Sequence, residues 1–174
     1  SLVAASNAGT ITFDGNNRLL TISGDQLAVV DQNTGTFIST FGAGLASVRG
    51  LDFNPHDGML YGVSGFASSS VIHRIDANTG TEVSAVSLTS ALTGSVAGSL
   101  IVDSEGVIHV ATNGAFDNLV EVDPDTGVVS NVRTSAVSMQ GMALAPPCPE
   151  DLNGDGVVNV GDLLQLLGSW GTCP

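Results

Sequence analysis

Lysine is missing from this chain, and its four arginines stand against seventeen acidic residues, for a net charge of −13. So little positive charge excludes a nucleic-acid binder or a protein held on anionic membranes, since both need basic patches to neutralise phosphate. No apolar run approaches the roughly 18 residues of a membrane span. Charged residues make up only 12% and aromatics 5%, while Gly, Ser, Thr and Val abound, which is the profile of a secreted all-β protein and not of an enzyme built on helices. Catalytic patterns are equally scarce. His56, His73 and His109 are far apart with no HExxH spacing or Cys/His cluster, and read as satisfied surface or strand histidines. Gly62-Val63-Ser64-Gly65 is not a nucleophile elbow. The expectation is a protein that is not an enzyme, with Arg18, Arg49, Arg74 and Arg133 pairing with Asp or Glu across strands or between subunits.

What the chain does have is a repeat of about 45 residues. Val30-Asp31-Gln32-Asn33-Thr34-Gly35, Ile75-Asp76-Ala77-Asn78-Thr79-Gly80 and Val122-Asp123-Pro124-Asp125-Thr126-Gly127 each lie between two alternating apolar runs. An Asp/Asn/Gly turn between runs of period two is a hairpin. A second hairpin precedes each one, around Asp14-Gly15-Asn16-Asn17, Asn54-Pro55-His56-Asp57-Gly58 and Asp103-Ser104-Glu105-Gly106. Two hairpins per period make a four-stranded unit, the pattern of a propeller blade. The pattern resembles the β-propeller repeats of secreted bacterial proteins, which carry a "DPxTGxV" hairpin. Blades are expected over about 9–42, 48–90 and 97–135, with an extra strand over 138–145 that begins a fourth unit and stops at Pro146-Pro147.

Closed propellers have four to eight blades, and this chain offers three and one strand. It is expected to be a fragment of a longer propeller, an open array, or a subunit completed by its neighbours. Because exposed strand edges are normally suppressed, Ser1–Ala5 and Gly141–Ala145 are the candidates for strand donation between copies. The chain begins Ser-Leu-Val, without Met or a signal peptide, as a mature product or a fragment would.

The last residues are chemically the most specific. Asp151, Asn153 and Asp155 alternate, Gly156 follows, and Asp162 closes a twelve-residue frame. This is the spacing of an EF-hand calcium loop with Asp at its last position. Ca²⁺ takes six to eight hard oxygen ligands, which a tight loop supplies when alternate side chains turn inward and a glycine permits the bend. The expected ligands are Asp151, Asn153, Asp155 and Asp162, the Val157 carbonyl, and Asn159 directly or through water. Pro146, Pro147 and Pro149 forbid an entering helix, and Asp162 is expected to open a short exiting one with Leu163, Leu166, Leu167 and Trp170 on one face. The segment resembles one half of a type I dockerin repeat, over about 27 of 174 residues. The resemblance implies calcium binding. A dockerin has two such repeats and this chain has one, and Val160 and Gly161 stand where dockerins usually carry small hydroxyl residues for partner recognition. Cys148 and Cys173 bracket the module and are expected to pair; a disulfide closing such a loop contributes about 3 kcal/mol. Both the disulfide and the calcium place the protein outside the cell.

The sequence therefore predicts an all-β repeat domain over 1–145 and a disulfide-bracketed calcium loop–helix module over 146–174. The functional expectation is an extracellular calcium-binding structural protein that self-assembles head to tail into a filament or tube, through strand exchange and the calcium tail. The alternatives are a propeller-type binding module anchored to a cell surface or scaffold protein by its tail, and the C-terminal piece of a larger hydrolase or lyase.

Overall fold

Short alternating runs between Gly- and Asp-rich turns cannot continue as helices, and they fold instead into strands, twelve of them among the described residues. The computed structural model describes residues 10–65, 70–89, 95–114, 117–135, 141–144 and 157–168. The chain divides into two compact units, Ser1–Ala143 and Leu144–Pro174. In the first, β1 (Ile11–Phe13), β2 (Leu19–Ser23), β3 (Gln26–Val30) and β4 (Phe37–Phe41) form one antiparallel sheet in chain order. The next sheet consists of β5 (Val48–Asn54), β6 (Met59–Ser64), β7 (Val71–Asp76) and β8 (Glu82–Ser87). The third contains β9 (Ser95–Val102), β10 (Ile108–Gly114), β11 (Asp117–Val122) and β12 (Val129–Ser135). The first strands of the sheets, β1, β5 and β9, lie side by side, as the inner strands of a propeller do.

The predicted hairpins thus exist and pair in the predicted order. The fourth unit differs: Gly141–Leu144, the described part of the expected extra strand, is in no sheet. A strand needs a neighbour to take up its backbone groups, and all three sheets already have their four strands from within the chain.

Each turn of the second hairpin is built the same way. The Asp31 carboxylate accepts the amides of Asn33 and Thr34 at 2.8 and 2.9 Å. Asp76 repeats this with Asn78 and Thr79, and Asp123 with Asp125 and Thr126. A side chain that satisfies the turn's own amides is why Asp stands first in the hexapeptide. These backbone bonds lead the causes that hold all three carboxyls below the ordinary value of 3.8.

Two apolar layers lie between the sheets. Leu20, Ile22 and Leu27 of the first sheet meet Leu51, Leu60 and Ile75 of the second. Tyr61, Val63 and Ile72 of the second meet Leu100, Val102, Ile108, Val110, Val120 and Val122 of the third. The middle sheet is covered on both faces, so Leu60, Tyr61 and Val63 of β6 are all buried and its polarity does not alternate. Burial of the Tyr61 ring, with its hydroxyl donating to Asp57 at 2.7 Å, pushes that phenol far up. At Gly50 the backbones of β5 and β9 approach so closely that a Cβ would lie 2.6 Å from the Leu100 nitrogen.

In the second unit the described element is α1 (Val160–Gly168). It starts two residues ahead of the expected Asp162. No helix among the described residues is long and apolar enough to cross a membrane.

Candidate functional site

Three of the six expected calcium ligands, Val157, Asn159 and Asp162, are described; Asp151, Asn153 and Asp155 lie outside the described residues, as do Cys148, Cys173 and Trp170. The reason α1 starts early lies in the same residues. The Asn159 side-chain oxygen accepts the Gly161 amide at 2.6 Å, and the Asp162 carboxylate reaches back to accept the Asn159 amide at 2.7 Å. This is a reciprocal capping box with Asn and Asp in place of Ser and Glu. The Asn159 side-chain amide also donates to the Val157 carbonyl at 3.1 Å. Asp162 is 3% exposed, although Val160, Leu163, Leu164, Leu166 and Leu167 around it are each about half exposed or more. A buried carboxylate needs hydrogen-bond partners, and the Asn159 amide is one of those that Asp162 has. Val157, Asn159 and Asp162 offer oxygen donors of the hard type that calcium takes, and in the structure these oxygens accept hydrogen bonds within the turn and cap. Leu163, Leu166 and Leu167, the described part of the expected leucine face, are exposed.

The ends of the blade array form the other feature. Ile11, Leu51 and Leu100 occupy the same register position on β1, β5 and β9. Leu51 and Leu100 are 2% and 3% exposed under the preceding sheet, whereas Ile11 is 61% exposed and Phe13 beside it 48%. The turn glycines repeat the contrast. A Cβ on Gly80 would lie 3.0 Å from the carbonyl of Phe41, the last residue of β4, and one on Gly127 would collide with the carbonyl of Ser87, the last of β8. Gly80 and Gly127 are buried in these seats. Gly35 has the same left-handed backbone, φ 67° against 67° and 70°, but is exposed with nothing described within 4 Å of its Cβ position. At the far end, Leu119 of β11 stands where β7 carries Ile72; Ile72 is 1% exposed and Leu119 is half-buried.

Side chains stitch the three sheets together. Asp52 accepts from the Thr12 hydroxyl at 2.6 Å and from the Val102 amide at 2.9 Å, joining β1, β5 and β9. Arg18 bonds Asp14 at 2.6 Å and donates to the Ala77 carbonyl of the next sheet at 2.7 Å. Arg74 bonds Asp57 at 3.0 Å and approaches Asp125 at 3.8 Å. His56 contacts the Ser104 carbonyl at 2.8 Å, and His109 contacts Asp103 at 2.8 Å. Burial works to raise the Asp103 pKa, but the bond to His109 and the amides of Val107 and Glu105 outweigh it and hold that carboxyl low.

Sequence reasoning missed one cluster. Ser64 lies 2.5 Å from His73 Nε2, and His73 Nδ1 lies 2.6 Å from Glu82. The order is that of a nucleophilic triad, and its members come from adjacent strands β6, β7 and β8. Ser64 is 5% exposed while Glu82 is exposed, so the chain of bonds runs from a buried hydroxyl to the surface and satisfies polar groups across the sheet. Among the described residues no group of three or more His, Cys, Asp or Glu is placed to hold a metal.

No protein-family model matches the chain, and no curated protein sequence matches it. Solved structures do match in fold. Hydrazine synthase of Kuenenia stuttgartiensis has 14% identity and a TM-score of 0.56, over 81% of this chain and 40% of its own. A protein of unknown function from Bacteroides caccae has 12% identity and a TM-score of 0.56, over 79% and 49%. The PQQ domain of pyranose dehydrogenase from Coprinopsis cinerea has 17% identity and a TM-score of 0.52, over 76% and 39%. The N-terminal unit is β-propeller-like. At these identities the likeness is one of fold alone, and the chain spans less than half the length of each of these structures.

Proposed function

We propose that this chain is an extracellular calcium-binding structural protein that assembles head to tail with copies of itself. The observation that carries the reading is the contrast between Gly35, exposed, and its counterparts Gly80 and Gly127, buried against the preceding sheet. Among the described residues the first blade carries the fittings of an interior blade without a preceding sheet. Each blade has its four strands from its own chain, so the contact is face to face, and strand exchange is not required. A head-to-tail contact gives a filament or tube if its rotation leaves a pitch and a ring if it closes.

Calcium orders the tail in this reading. Asp151, Asn153, Asp155 and Asp162 supply side-chain oxygens, with the Val157 carbonyl and Asn159, and a Cys148–Cys173 bridge clamps the ends. A module this small needs such staples to fold. Sedimentation velocity in millimolar calcium and again with a chelator tests the reading. Assemblies larger than one chain are expected in calcium; a single-chain mass of 17.5 kDa at every concentration would overturn it.

The exposed leucines of α1 favour a second reading, in which the tail anchors a propeller-type binding module to a surface or scaffold protein. That reading requires a stoichiometric tail partner and a monomeric blade array.

A further inference from the structure

We propose that Asn159 serves the calcium loop as a positioning residue and not as a ligand. Its side-chain amide fixes the Val157 carbonyl and the turn that carries Asp162, and those two groups make the metal contact from this half of the loop. The inference rests on the calcium reading and adds to it a division of labour among the expected ligands.

Asn159 is engaged at its backbone amide and at both ends of its side chain. The backbone amide donates to Asp162 Oδ2 at 2.7 Å, Oδ1 accepts the Gly161 amide at 2.6 Å, and Nδ2 donates to the Val157 carbonyl at 3.1 Å. These neighbours fix which way the side chain points, since the Gly161 amide can only donate and the Val157 carbonyl can only accept. The oxygen therefore faces the first turn of α1 and the nitrogen faces the Val157 oxygen. A cation held by the Val157 carbonyl would meet the N–H end of Asn159, which has nothing to give a metal. Turning the side chain over would bring two carbonyl oxygens together and set the Gly161 amide against a donor, so a ligand role for Asn159 costs both bonds. Val157 and Asp162 are under no such constraint. An ionised carboxylate offers about four acceptor sites and a backbone carbonyl two, so each group can accept a hydrogen bond and contact a metal at once. Residues that hold ligands in place without touching the metal commonly account for about 10–100-fold of its affinity.

Asn159→Asp separates a ligand from a positioning residue. Asp caps a helix about as well as Asn, so the bond to Gly161 is kept, but Asp has no N–H to give the Val157 carbonyl. A direct ligand would gain from the same change, because affinity rises with the number of charged oxygens around calcium. Isothermal titration of the full chain with calcium chloride is expected to show about tenfold weaker binding for Asn159→Asp. Hydrogen exchange over residues 157–168, followed by mass spectrometry in chelator, is expected to match the unsubstituted chain. Asn159→Ala gives up the cap as well, and is expected both to weaken binding and to speed that exchange. Equal or tighter binding by Asn159→Asp would overturn the positioning role while leaving the calcium reading standing. Weaker binding with faster exchange in that variant would reduce Asn159 to a helix cap and overturn the role too. An unsubstituted chain that binds no calcium would remove both the reading and the inference.

Discussion

At Asp52 one carboxylate divides its oxygens between neighbours, Oδ1 accepting from the Thr12 hydroxyl of β1 and Oδ2 from the Val102 amide of β9. Removing it leaves an amide and a hydroxyl at the blade junction without their acceptor. Asp52→Ala is expected to lower the unfolding free energy by about 1–3 kcal/mol, and Thr12→Val by less, as measured by urea denaturation. The sequence does not announce this role, because the same register position holds Thr12 in the first blade and Ile101 in the third. The turn carboxylates Asp31, Asp76 and Asp123 do announce themselves by repetition. Their amide bonds lower the folded pKa below 3.8, so each stabilises the fold above pH 3.8 and loses that contribution as pH falls through the depressed value. Thermal melts are expected to hold steady near neutrality and drop below pH 3.8, with a shallower drop when Asp76 and Asp123 are replaced by Asn.

At the scale of elements, the strands were legible and the helix start was not. Period-two runs such as Gln26–Val30 and Phe37–Phe41, joined by a hexapeptide with Asp first and Gly last, are local signals and mark a hairpin wherever it sits. The Asn159–Asp162 cap is also local, but its residues were read as metal ligands, which hid their second use. The structure shows the cap, with Asp162 accepting the Asn159 amide, and the calcium use belongs to the proposal. Asp151→Ala with Asp155→Ala is expected to abolish the heat of calcium binding in isothermal titration while the blade strands keep their β-sheet circular dichroism. An unchanged titration would refute the ligand set. Likewise Ser64, His73 and Glu82 were not recognised together, because they meet only through the register of three strands.

For the whole molecule, the count of blades was readable and the way they join was not. Gly35, Gly80 and Gly127 look alike in the sequence, and only the packing of one sheet on the next distinguishes a filled seat from an open one. Of the expected fourth-unit strand only Gly141–Leu144 is described, and it lies in no sheet, while each described sheet has four strands and the end blades have uncovered faces. Those faces, Ile11 and Phe13 at one end and Leu119 at the other, are where the account stands or falls. Negative-stain electron microscopy of the purified full chain in millimolar calcium tests it most directly. The account predicts particles in which three-blade units are joined to one another; isolated three-wedge arcs as the sole species would contradict it.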